Sequence, residues 1–246
     1  MIGNGNIYSD KNFIERYTYT GNDLGATWSK DATTFKVWSP TAQKVELALY
    51  QSGTAESDDL IKKSAMTKCD KGVWALTVEG NLNGIYYTYI VENDGEKKEA
   101  CDPYARTTGV NGNRAMVLDL ASTNPQGWDQ DQSPNTGKKY TDAVLYELHI
   151  RDFSIDESSG VSSGTRGKFL AFTEEGTKTQ NGVSTCLDYL TSLGITHLHL
   201  MPMYDYGSVD EAKLDEPQFN WGYDPVNYNV PEGSYSTDPY HGEVRV

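Results

Sequence analysis

Two hydrophobic periods divide this chain, and together they restrict its fold more than any other feature. From about Asp23 to Leu120 the apolar residues fall in short alternating runs. Thr33-Thr34-Phe35-Lys36-Val37-Trp38 alternates and stops at Ser39-Pro40, and residues 45–50, 72–78 and 85–91 repeat the pattern. A period of two sends successive side chains to opposite faces of a strand. Asn93-Asp94-Gly95 predicts a tight hairpin into Lys97–Ala100, because Asp-Gly tolerates the positive φ angles such a turn needs. Ala115–Leu120 reads as a last strand. Regular short strands with turn signals and no helical period predict a β-sandwich of immunoglobulin-like type over residues 1–120.

Residues 121–140 lose the alternation and become rich in Asn, Pro, Gln, Gly, Asp and Ser, which predicts a linker. A second regime then begins. Ala143–Ile150 is a strand-like run. Val183, Cys186, Leu187, Leu190 and Leu193 recur at helical spacing, with Asn181 as the expected N-cap and Gly194 as the stop. Ile195–Met201 reads as a second, buried strand. Strand, helix and strand in this order predict a βαβ unit with parallel strands. The polar stretch Ser154–Gln180 is longer than an ordinary βα loop.

Composition narrows the partners. A formal charge of −14 repels phosphate backbones and anionic lipid, so neither nucleic acid nor a membrane is an expected partner, whereas a neutral glycan fits. Cys69, Cys101 and Cys186 are odd in number and widely spaced, which excludes a zinc ribbon and argues against a disulfide scaffold. Met1–Asn6 lacks the basic start and apolar centre of a signal peptide, and no apolar run approaches membrane-spanning length. With Met1 as the native start, a cytoplasmic location is expected. Seventeen Tyr and five Trp suit a carbohydrate-handling surface and equally the core of a sandwich.

The densest chemical signal is Phe219-Asn220-Trp221-Gly222-Tyr223-Asp224-Pro225. Aromatic rings fixed beside an amide and a carboxylate are what a sugar needs: the apolar side of the pyranose lies on a ring and its hydroxyls meet the polar groups. The same residues also make a rigid turn with core aromatics. Other constellations compete. His149, His197 and His199 fall on adjacent strands, as a zinc triad or as core histidines with satisfied nitrogens. Asp152 and Asp205 fall at the C-terminal ends of two parallel strands, and from the residues alone they would be the acid/base pair. Trp28, Trp38 and Trp74 lie in the sandwich and are candidates for starch binding, with core packing the expected role of the last two. The carboxylates at 58–59, 94–102 and 210–216 are candidates for calcium but lack the EF-hand pattern.

Several ordered blocks carry a family resemblance. V-L-Y-E-L-H-I-R-D-F-S at 144–154 and I-T-H-L-H-L-M-P-M-Y-D at 195–205 resemble the first two barrel strands of type I pullulanases, starch-debranching members of the α-amylase superfamily (glycoside hydrolase family 13). F-N-W-G-Y-D-P at 219–225 resembles their Y-N-W-G-Y-D-P signature, with Phe219 for the usual Tyr, and N-Y-N-V-P-E-G-S-Y-S at 227–236 continues it. T-T-F-K-V-W-S-P at 33–40 and D-P-Y-A-R at 102–106 resemble the sandwich module that precedes such barrels. His199 stands where the family pattern has Gln or a similar polar residue.

The resemblance implies a β-sandwich (1–120), a linker (121–140) and the start of a (β/α)8 barrel (141–246). A closed barrel takes about 250 residues, so the barrel is expected to be incomplete. It also implies cleavage of α-1,6-glucosidic linkages in pullulan, amylopectin or glycogen by the intact parent, through a carboxylate nucleophile and a carboxylic acid on later strands. Neither has a matching position here, so no catalytic residue is expected within this chain and the chain alone is expected to be inactive. Tyr223 matches the tyrosine that stacks on the sugar beside the scissile bond. Asn220 and Trp221 shape that loop, Asp224 orients it, and Tyr204 and Tyr206 are candidates for the cleft mouth. The expected partners are an α-glucan and the remaining barrel portion; no metal or cofactor is assigned. The alternatives are a non-catalytic carbohydrate-binding protein, one half of a split enzyme, or a related isoamylase or branching enzyme.

Overall fold

The structure, a computed structural model, describes residues 7–134 and 139–246. The first six residues, read above for a signal peptide, and residues 135–138 of the expected linker lie outside the described residues. The chain divides into two compact units, Met1–Gly109 with Asn113–Asp119, and Val110–Gly112 with Leu120–Val246. Among the described residues no helix is long and apolar enough to cross a membrane.

The first unit is a two-sheet sandwich. Its elements are α1 (Lys11–Tyr17), β1 (Gly25–Trp28), β2 (Ala32–Trp38), β3 (Lys44–Tyr50), β4 (Leu60–Ala65), β5 (Thr67–Lys68), β6 (Val73–Glu79), β7 (Tyr86–Asn93), β8 (Glu96–Ala100) and β9 (Ala115–Met116). One sheet runs β1-β2-β6-β5 and the other β4-β3-β7-β8, with β9 also on β7, all antiparallel. The alternation seen in the sequence sets the faces. Thr33, Phe35 and Val37 of β2 point inward, and Phe35 meets Tyr87 of the opposite sheet edge-on at 4.9 Å between ring centroids. Truncating a fully buried ring such as Phe35 to Ala costs about 3–5 kcal/mol. The predicted hairpin is present: Asn93 pairs with Glu96, and Asp94 (φ 50°) and Gly95 (φ 82°) are both left-handed, as a type I′ turn requires.

The D-P-Y-A-R block closes this core. Buried Asp102 accepts hydrogen bonds from Tyr87 Oη at 2.7 Å, Tyr89 Oη at 3.3 Å and the Tyr104 amide at 2.8 Å. Burial raises its carboxyl above the usual range despite those donors. Arg114 closes the loop before β4: it donates to Asp59 at 2.7 Å and to the Ser52, Ala55 and Ser57 carbonyls, and it lies 3.7 Å over the Tyr50 ring. Trp74 is buried and its indole donates to the Ser39 carbonyl; Trp38 donates to the Tyr17 and Lys71 carbonyls.

Several expectations are corrected. The strand expected over Ala115–Leu120 is only Ala115–Met116; the Val117 amide still bonds the Ile85 carbonyl and its carbonyl accepts the Gly84 amide, and beyond it the Asp119 amide turns to the Asn83 side chain. The sequence reading omits α1, β1, β4 and β5. β4 (Leu-Ile-Lys-Lys-Ser-Ala) exposes most of its side chains, so it carries no alternation; as an edge strand it is guarded by lysines instead.

The second unit contains β10 (Leu145–Leu148), α2 (Ile150–Ser154), α3 (Cys186–Ser192), β11 (His197–Leu200), β12 (Tyr204–Tyr206), β13 (Pro225–Pro231) and α4 (Gly242–Arg245). β10 and β11 are parallel, with Leu145 opposite His197 and Leu148 opposite Leu200. Gly194 (φ 67°) ends α3 as expected, but Thr185 and not Asn181 is its N-cap. Residues before it form their own turn, with the Thr179 amide on the Val183 carbonyl and the Thr185 amide on the Thr177 carbonyl. β11 is exposed rather than buried, and Leu145 of β10 is 65% exposed, because a sheet of two strands shields little of its own surface. β12 and β13 pair antiparallel across a long loop, residues 207–224. The core here gathers Ile150, Tyr206, Val209 and Tyr235 with Phe169, Leu200 and Met203. Tyr206 is therefore a core residue, whereas Tyr204 is exposed.

Candidate functional site

The loop between β12 and β13 presents its aromatics outward. Phe219, Trp221 and Tyr223 are exposed, the last two by 61% and 66%. Exposed rings on a loose loop would collapse onto apolar surface, so the question is what holds them. Asn220 supplies the first restraint: its Oδ1 accepts the Gly222 amide at 2.7 Å and its Nδ2 donates to Asp224 Oδ1 at 2.7 Å. Gly222 (φ 87°) supplies the second, since a Cβ there would meet the Pro202 carbonyl oxygen at 2.4 Å. Ser208 Oγ donates to Asp224 Oδ2, and this hydroxyl first, then Asn220, holds the Asp224 carboxyl below the usual carboxylate range. Asp224 is thus an ionised acceptor that ties the loop together.

His149 anchors the same loop from beneath. It is buried, and its Nδ1 accepts the Asp152 amide at 3.3 Å, capping α2. Its Nε2 lies 2.8 Å from the Asn220 carbonyl oxygen and 3.0 Å from Tyr235 Oη, and its Nδ1 also lies 3.8 Å from the Asp152 carboxylate. The Phe219 ring packs 5.1 Å from the imidazole. His197 and His199 lie elsewhere on β11, exposed, with His199 Nδ1 3.1 Å from Glu147. The three histidines do not converge. Among the described residues, the carboxylates of Asp205, Glu211 and Glu232 are the one group of three ligand-bearing side chains close enough to share an ion.

That group already has its cation. Arg245 Nη1 lies 3.0 Å from Asp205 Oδ1 and 3.0 Å from Glu211 Oε1, and Nη2 also donates to Glu211. Asn227 donates to Asp205 at 2.6 Å, and the Asn111 amide to Glu211 at 2.6 Å. Glu232 accepts the Tyr206 amide at 3.0 Å and the Ser234 amide at 2.9 Å. Three carboxylates against the Arg245 guanidinium, with the Lys168 ammonium also near Glu211 and Glu232, still leave an excess of negative charge in a buried place. Burial, and then the Glu211 charge, push the Glu232 carboxyl up to about 7. Asp205 and Glu211 are also raised by burial, against the pull of Arg245.

The acid/base pair suggested by residues alone is not formed: Asp152 is exposed in α2 while Asp205 is buried on Arg245. Of the candidate calcium carboxylates, Asp59 is committed to Arg114, Asp102 to two tyrosines and Glu211 to Arg245. The sequence reading missed Glu232 and Arg245 and took Glu211 only as a calcium candidate, because an isolated buried charge has no periodicity to announce it. A cavity of about 270 Å³ opens beside Asn220, with Arg151, Lys168, Gln218, Tyr206 and Tyr235 in its wall. It is smaller than a typical ligand pocket of about 300–1,000 Å³. Two larger clefts, of about 300 and 360 Å³, lie around Asp152, Phe153 and Cys186 and include no residue of 219–225. The exposed loop is the candidate ligand contact because its aromatic rings face outward. What it offers chemically is apolar ring surface on a fixed backbone; its one carboxylate, Asp224, is engaged in holding it.

Residues 23–105 match the family model for carbohydrate-binding module 48, the isoamylase N-terminal domain. The chain is 39% identical over 234 residues to a pullulanase of Bacillus subtilis (strain 168), covering 95% of this chain and 30% of that protein. It superposes on the crystal structure of Paenibacillus barengoltzii pullulanase in complex with maltohexaose and α-cyclodextrin with a TM-score of 0.92 and 50% identity, over 96% of this chain and 36% of that one. For the Anoxybacillus sp. LM18-11 pullulanase complexed with maltotetraose the TM-score is 0.89 and the identity 43%, over 98% and 34%. The chain spans about a third of the length of these three relatives.

Proposed function

Because the chain belongs to the pullulanase family, we propose that it forms part of a debranching glycosidase that hydrolyses α-1,6-glucosidic linkages in pullulan, amylopectin or glycogen. In this reading residues 1–120 are an immunoglobulin-like, glucan-directed sandwich, 121–140 a linker, and 141–246 the opening of a (β/α)8 barrel. The match to a carbohydrate-binding module and the maltooligosaccharide complexes of similar pullulanases support a glucan as partner. The parallel pair β10 and β11 supports the barrel, since parallel strands are normally buried on both faces, and Leu145 offers apolar surface for further strands.

The observation that carries the proposal is the restrained loop 219–225. Tyr223 is the sugar platform, Trp221 flanks it, and Asn220 and Asp224 keep both rings in place. Catalytic carboxylates are assigned outside this chain. The close-set carboxylates within it, Asp205, Glu211 and Glu232, are buried and bound to Arg245 or to backbone amides.

The test uses the purified chain in two assays. Affinity electrophoresis through pullulan is expected to retard it, and a reducing-sugar assay on pullulan is expected to show no release. Absence of retardation would remove the glucan-binding reading. Release that survives repurification and disappears in Asp152→Ala would place catalysis in this chain and overturn the assignment.

A further inference from the structure

We infer that His149 is the positioning residue of the aromatic loop, its Nε2–H holding the Asn220 carbonyl. The inference rests on the reading of Tyr223 as a sugar platform, and assigns the part that sets its geometry. Two contacts set the tautomer we assign: the Asp152 amide, 3.3 Å from Nδ1, can only donate, and the Asn220 carbonyl, 2.8 Å from Nε2, can only accept, so Nδ1 accepts and Nε2 donates. The Asp152 carboxylate, 3.8 Å from Nδ1, is the one neighbour that would favour the opposite form. One ring thereby joins the first turn after β10 to the loop before β13. The joined backbone atom belongs to Asn220, whose side chain in turn fixes Gly222 and Asp224 on either side of Tyr223. Tyr235 Oη at 3.0 Å and the Phe219 ring at 5.1 Å close the remaining space around the imidazole. His149 never needs to reach solvent, and no proton transfer is asked of it.

Three measurements on the intact chain decide this. The 15N shifts of the His149 ring in the wild-type protein report the tautomer directly. The Nε2-protonated form is expected, and the Nδ1-protonated form overturns the inference whatever the variants do. Amide exchange is then compared in His149→Phe, which keeps a ring but no hydrogen bond, and His149→Gln, whose amide can still donate to Asn220. Exchange at Trp221–Asp224 should quicken about tenfold in His149→Phe, the scale set by losing a buried hydrogen bond. It should stay near wild type in His149→Gln, with 145–148 and 186–192 unchanged in both. Equal effects in the two variants, or an effect spread over 145–148 and 186–192, would reduce His149 to a packing residue. Finally, maltotetraose affinity should fall by about fivefold to tenfold in His149→Phe only. If wild type does not bind maltotetraose, the sugar reading of Tyr223 fails while the tautomer and exchange results still judge His149.

Discussion

The guanidinium of Arg245 lies 3.0 Å from the carboxylate of Asp205, and both side chains are withdrawn almost completely from solvent. This pair and Glu211 tie α4 to β12 and to the turn at 211–213. Removing the cation would strand two carboxylates in the interior. Breaking a buried pair from one side typically costs about 3–5 kcal/mol. Arg245→Met is therefore expected to lower the unfolding free energy of the second unit by that amount in urea titrations. A loss under about 1 kcal/mol would mean that water or relaxation already satisfies the carboxylates.

Glu232 should make the same unit less stable as pH rises. Its folded carboxyl titrates at about 7, above the ordinary 4.5, so the folded state holds its proton more tightly than the unfolded state does. Stability tied to that proton is complete below about pH 4.5 and is lost as pH climbs through about 7. The gap corresponds to something on the order of 3 kcal/mol. Glu232→Gln stays neutral throughout. Relative to wild type it should gain about that much stability between pH 5 and pH 8, whatever offset its lost acceptor imposes. A constant difference across that window would show that Glu232 is ionised throughout it in the folded protein.

Limited proteolysis should cut first at residues 121–134, which are largely exposed and built of short turns. The loop at 207–218 is longer but should resist. The Asp210 amide donates to Gln218 at 2.7 Å, Gln218 donates back to the Asp210 and Lys213 carbonyls, and Glu211 is buried on Arg245. Mapping the first nicks from a non-specific protease by mass spectrometry checks the order. First cleavage within 207–218, or inside β7, would contradict it.

What could be read from the sequence was what repeats. Phe35 and Val37, or Asp94 and Gly95, follow period or turn rules that need no tertiary partner, and they lie where those rules put them. Parallel pairing of β10 and β11 followed from the helix between them. The edges were not legible: β4 is polar because only one side of it is paired, and the N-cap of α3 moved to Thr185 because an upstream turn engages the backbone at 177–185. The loop 219–225 was legible as a motif, but its restraints were not. His149 meets Asn220 from 71 positions away, and Arg245 meets Asp205 from 40, through single contacts that leave no pattern in the chain.

The central claim is that Tyr223 is a sugar platform held out by a rigid loop, and one titration tests it most directly. Maltotetraose is added to the chain while the Trp221–Asp224 amides are followed by NMR, in wild type, Tyr223→Phe and Tyr223→Ala. Stacking of a ring on an aromatic face is worth about 1–3 kcal/mol, by analogy with base stacking. Tyr223→Ala should therefore weaken binding at these amides about tenfold to a hundredfold. Tyr223→Phe, which keeps the ring, should stay within about threefold of wild type. If Tyr223→Ala folds normally and binds maltotetraose at this loop as tightly as wild type, the exposed ring is not the platform and the account is wrong.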